Sequence, residues 1–95
     1  MTKLPIIEEL YNVILDRREN PVDGSYTNYL FEKGRDKICK KMGEEAVEVI
    51  LSSVASKKED VVEELADLMY HALVLMADMG IEPKDVEEAL RKRRS

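Results

Sequence analysis

The chain has 95 residues, 44% of them hydrophobic, with four Tyr, one Phe and no Trp, so its core must come from Leu, Ile, Val, Met and Ala, a composition that suits helices packed on helices in one domain. No run approaches the ~20 consecutive apolar residues of a membrane span, and a net charge of -5 argues against a general nucleic-acid binder. The single Cys39 excludes an intrachain disulfide, and Met1 leads into a charged, helix-like segment without a signal-peptide core, which points to a cytoplasmic protein.

Taken in chain order, apolar residues at Leu4, Ile7, Leu10, Tyr11, Ile14 and Leu15 predict a first helix from Leu4 to about Arg18, with Pro5 tolerable in its first turn. The turn formers of "NPVDGSY" follow, Ser25 is placed to cap a short helix through about Glu32, and Gly34 should end it. Ile38, Met42, Ala46, Val49, Ile50 and Val54 predict a long helix from Arg35 to about Ala55, with Cys39 inert in an apolar setting. "SKKE", Ser56 to Glu59, fits a capping box for a second long helix running to about Met79, stopped by Gly80. Pro83 opens a short final helix carrying Val86, Ala89 and Leu90, and "RKRRS" puts cations at its C-terminal end. The predicted architecture is all-α: a small helical bundle built on an antiparallel hairpin of the two long helices. Because a core this small leaves apolar surface uncovered, a homodimer or higher homo-oligomer is expected.

The acidic residues are the main functional signal. Residues three apart share a helix face, so Glu45 with Glu48, and Glu64 with Asp67, form two carboxylate pairs that a hairpin can bring opposite each other. Such convergence is repulsive, should raise carboxylate pKa values, and calls for a cation; Mg2+, with Mn2+ as an alternative, suits an all-oxygen ligand set. Glu44 is near enough to act as a base or to support the ligands. The preceding "EKGRDKICKK" supplies Lys33, Arg35, Lys37, Lys40 and Lys41, and cations beside a metal site suit a polyphosphate substrate, although Lys37 and Lys41 can equally pair with Glu45 or Glu48 along the helix. His71 reads as a core or interface residue, Tyr70 and the methionines as packing. A helical module that binds a basic partner through its acidic faces remains an alternative from a different class. A di-iron carboxylate centre does not fit, because Leu68 stands where its Glu-x-x-His motif needs Glu.

Glu45-x-x-Glu48, 15 residues, then Glu64-x-x-Asp67 resembles the ExxE…ExxD signature of the all-α (MazG-like) nucleoside-triphosphate pyrophosphohydrolases. With "SYT" (Ser25 to Thr27), "KG" (Lys33, Gly34), "KKMGEEAVEVI" and "ELADLMYHALVL", nearly the whole chain is similar to the phosphoribosyl-ATP pyrophosphohydrolases of histidine biosynthesis. The resemblance implies hydrolysis of 1-(5-phosphoribosyl)-ATP to the corresponding AMP and pyrophosphate, the second step of that pathway, by a metal-bound water attacking between the α and β phosphates. It implies Glu45, Glu48, Glu64 and Asp67 as Mg2+ ligands, phosphate contacts from among Lys33, Arg35, Lys37 and Lys41, an "SYT" loop closing over the substrate, and dimers or larger assemblies with helices of both subunits near each site. Many relatives carry Lys where Tyr29 stands. The cyclohydrolase domain fused to this enzyme in some lineages is not expected in this chain. A house-cleaning enzyme for non-canonical nucleotides is the alternative within the same chemistry, since the acidic pairs do not encode the base.

Overall fold

The computed structural model describes residues 5–94, and the predicted start at Leu4 and the terminal Ser95 lie outside them. The fold is all-α: helices α1 (Ile6–Glu19), α2 (Tyr26–Lys33), α3 (Arg35–Val54), α4 (Lys58–Met79) and α5 (Pro83–Arg91), with no strand among the described residues. The predicted punctuation falls into place at most boundaries. Ser25 caps α2, its hydroxyl accepting the Asn28 amide at 3.2 Å. Gly34, with φ 96°, ends α2 and starts α3 in one residue, a conformation that side chains resist. Gly80 is the left-handed stop of α4.

The capping box predicted at Ser56–Glu59 does not form: α4 begins at Lys58, and its N-cap, Lys57, makes no side-chain cap. Ser56 belongs instead to the end of α3. Its φ is 58°, its amide reaches the Ser53 carbonyl at 3.0 Å, and the Lys57 amide reaches Ser52 at 3.4 Å, which is a Schellman ending with Ser in the position glycine favours. A box-like cap does occur further on, where the Asp85 carboxylate accepts the Glu82 amide at 2.9 Å ahead of Pro83. Ser in the sequence signalled a helix boundary correctly but on the wrong side of it.

The three residues between α3 and α4 turn the chain back, and these two helices share the most extensive contact in the fold. The core lies at one end of this pair. Tyr11 and Ile14 from α1, Leu30 from α2, Ile38 from α3 and Leu73, Val74 and Ala77 from α4 are all buried there. Each of the buried Leu, Ile and Val side chains contributes about 1.5–3 kcal/mol by leaving water. Cys39, one step along α3 from the fully buried Ile38, is rotated ~100° away from it and is exposed, not set in apolar surroundings as expected. The Tyr11 hydroxyl donates to the Ile81 carbonyl at 2.6 Å, and Arg18 donates to the Ala77 carbonyl at 2.5 Å, so α1 fastens the end of α4. The other end of the pair carries Val47, Ile50, Leu51, Val54, Val62 and Leu65 into solvent, Val54 at 80% exposure. The radius of gyration, 14.5 Å, accordingly exceeds the ~13 Å of a compact chain of this length.

The turn generates a stability prediction. Relieving the left-handed Ser56 with Ser56→Gly should stabilise the fold by about 0.5–1 kcal/mol, an increase of several degrees in Tm, measured by thermal and urea unfolding. A lower Tm would show that Ser56 is not strained in its turn.

Candidate active site

Helical spacing sets Glu45 and Glu48 on one face of α3 and Glu64 and Asp67 on one face of α4, and the packing of the two helices brings these faces together. Carboxylate oxygens of Glu45, Glu64 and Asp67 all lie within 4.8 Å of one another. Glu48 and Glu44 line the same open cavity of about 520 Å3, with Lys41 at its edge, but Glu48 stands outside that trio. Glu45 and Glu64 are half-buried and Asp67 is exposed.

The electrostatics follow from this placement. Desolvation, then the charges of Glu45, Asp67 and Glu48, hold the Glu64 carboxyl above its ordinary pKa, as expected of converging acids. Glu44 is pushed the other way by its bond to Lys41, Nζ to Oε1 3.0 Å. An all-oxygen set of three close carboxylates with an open approach fits a hard divalent cation, and a cation there would relieve the repulsion that raises Glu64.

The basic residues divide. Lys41 borders the cavity. Lys33 and Lys37 place their ammonium groups 5.8 and 5.9 Å from the centre of the Tyr29 ring. Arg35 is drawn to the far end of α4, its Nε 2.7 Å from Asp78, and stands ~15 Å along α3 from Glu45. The structure therefore brings Lys41 to the acids, groups Lys33 with Lys37, and leaves Arg35 apart.

Behind the acids lies a support that sequence reasoning missed. His71, buried one turn after Asp67, has its Nδ1 2.7 Å from the Asp67 backbone carbonyl. A carbonyl only accepts, so Nδ1 carries the hydrogen; in the neutral ring Nε2 then accepts from the Tyr26 hydroxyl at 2.9 Å. Both ring nitrogens are engaged, which removes His71 as a metal ligand and makes it a tie between α2 and the turn of α4 that carries Asp67. Tyr70 reinforces the tie, bonding Thr27 and stacking on Tyr26. The lone His four residues after Asp67 was the only sequence signal; nothing local links residue 26 to residue 71.

The raised Glu64 gives a pH prediction. Its folded pKa exceeds its unfolded one, so protonation favours the fold: the penalty is absent below the unfolded value and grows as pH rises through the folded one. In metal-free protein Glu64→Gln should therefore raise Tm at about pH 7 and lose that advantage near pH 4. Equal Tm differences at both pH values, by differential scanning calorimetry, would contradict the repulsion described here.

Comparisons with known proteins bear on this arrangement. A family model described as phosphoribosyl-ATP pyrophosphohydrolase matches residues 7–94. The phosphoribosyl-ATP pyrophosphatase of Clostridium acetobutylicum is 55% identical over 93 residues, covering 98% of this chain and 84% of that one. That of Streptococcus thermophilus is 50% identical over 88 residues, covering 93% and 85%. The histidine biosynthesis bifunctional protein HisIE of Thermoanaerobacter pseudethanolicus is 55% identical over 83 residues, covering 87% of this chain and 38% of the larger protein. With a match that spans both acidic pairs and all five helices, the chain belongs to the phosphoribosyl-ATP pyrophosphohydrolase family.

Proposed function

We propose that the protein is a cytoplasmic enzyme that hydrolyses 1-(5-phosphoribosyl)-ATP to 1-(5-phosphoribosyl)-AMP and pyrophosphate in histidine biosynthesis, with Mg2+, or Mn2+ in its place, as cofactor. The observation that carries this reading is the convergence of Glu45, Glu64 and Asp67 in a chain of this family. These three would hold the cation, with Glu48 completing the set from the same cavity. When bound, the cation would offset charge on the phosphoryl oxygens and lower the pKa of the attacking water.

The remaining work falls to the chain's own groups. Water attacks the α phosphorus and gives a proton to solvent, the bond from that phosphorus to the oxygen bridging to the β phosphate breaks, and pyrophosphate leaves with that oxygen. Lys41, Lys33 and Lys37 supply positive charge for the substrate's phosphates. Glu44, 3.0 Å from the Lys41 ammonium, helps fix it at the cavity edge. His71 and Tyr26 fix the turn that carries Asp67. The open side of the long helix pair supports a homodimer or higher assembly, since Ile50, Leu51, Val54 and Val62 form an apolar face that a second copy would cover.

Two outcomes are expected. Pyrophosphate release from phosphoribosyl-ATP should need Mg2+, stop in EDTA and exceed that from ATP, and Glu45→Ala or Asp67→Ala should cost roughly 100-fold or more while circular dichroism shows a folded chain. Full activity in both variants would refute the ligand assignment. In sedimentation equilibrium the protein should be a dimer or larger and Leu51→Asp should dissociate it; a monomeric parent protein would end the assembly reading.

A further inference from the structure

Tyr26 and Tyr29 open α2 with their rings stacked, centroids 6.0 Å apart and planes 23° from parallel, yet 43% and 39% of these residues face solvent. The pair has a rigid backing. Tyr26 is tied to His71 and stacks on Tyr70, 6.2 Å away. The loop beside it is held by Asn28, whose side chain accepts the Val22 amide at 2.9 Å and donates to the Arg17 carbonyl at 2.6 Å. Loop and rings together wall an open cavity of about 440 Å3. A stacked and exposed aromatic pair, with one ring tied to the core and the other resting on it, is suited to a flat heterocycle, which stacks at small entropic cost.

Its neighbours say which one. On one side, Tyr26 reaches His71, one turn from Asp67, and so adjoins the acids. On the other, Lys33 and Lys37 stand at Tyr29, Lys37 lying ~12 Å along α3 from Glu45. Their contact with an exposed ring is weak, so an anionic group readily draws the ammoniums away from it. Resting on the reading above, we propose that Tyr26 and Tyr29 form the shelf on which the substrate's purine stacks, and that Lys33 and Lys37 beyond it take the phosphate of the phosphoribosyl group, so that this end of α2 sets the preference for phosphoribosyl-ATP over ATP.

Tyr29→Leu should lower kcat/KM for phosphoribosyl-ATP roughly 5- to 100-fold, mainly through KM, and Tyr29→Phe, which keeps the ring, should restore it. Lys33→Gln with Lys37→Gln should reduce the phosphoribosyl-ATP over ATP preference about tenfold or more. An unchanged KM in Tyr29→Leu, or an unchanged preference in the double variant, would overturn the proposal. Binding keeps the shelf testable whether or not the hydrolysis reading holds. With four Tyr and no Trp in the chain, AMP should quench tyrosine fluorescence and bind more tightly than ribose 5-phosphate, and Tyr29→Leu should abolish that difference. AMP binding no tighter than ribose 5-phosphate would show that no base is stacked.

Discussion

Three carboxylates held within 4.8 Å of one another, on two helices, are the constraint around which this small protein is arranged. In their ionised forms like charges at such range repel, and desolvation together with that repulsion holds the Glu64 carboxyl above its ordinary pKa. The contact between α3 and α4 must therefore be secured elsewhere. It is secured at both ends of the pair: by the Ser56 turn, which fixes how the helices run past each other, and by the buried cluster around Ile38 and Val74. A slip of one helical turn would carry Glu64 ~5.4 Å along its axis and disperse the cluster.

The third support comes from α2. Tyr26 and Thr27 reach across to His71 and Tyr70, and His71 holds the carbonyl of Asp67. Each polar atom in this bridge has a partner, and no buried side-chain nitrogen or oxygen among the described residues is left without one. That completeness matters next to a cluster of acids, because a side chain free to rotate there would let the turn that carries Asp67 drift. Gly34 allows α2 to approach at the required angle, joining it to α3 without an intervening loop.

Much of this was legible in the sequence because it is periodic or punctuated. The five helices and the stops at Gly34 and Gly80 follow from apolar spacing and residue type, and the shared faces of Glu45 with Glu48 and Glu64 with Asp67 follow from helix geometry alone. Ser56 was misread because Ser serves both a helix start and, less comfortably, a left-handed helix end; only the backbone distinguishes them. Arg35 was grouped with Lys37 and Lys41 because they are near in sequence, whereas Asp78, 43 residues away, claims its guanidinium. Cys39 was judged by its neighbour Ile38, although adjacent helical residues point ~100° apart. The Tyr26–His71 bridge has no local signature at all. Contacts across 45 residues belong to packing, and packing is what a single sequence does not state.

The long helix pair is divided along its length into regions with different tasks. At the Ile38 end its apolar residues are consumed by α1 and α2; at the turn end Ile50, Leu51 and Val54 are exposed; the acids lie between. A cluster inside the core would pay the full desolvation of three charges, and one at the exposed tip would lack neighbours to hold its geometry. At the boundary, Glu45 and Glu64 are buried enough to be held and Asp67 is open enough to be reached. The same boundary position lets α2 set Tyr26 against His71, one turn from Asp67, while its buried Leu30 anchors it in the core. Within eight residues α2 thus carries both a core anchor, Leu30, and the ties of Tyr26 and Thr27 to α4, which is why a core of so few side chains can hold a charged cluster in place.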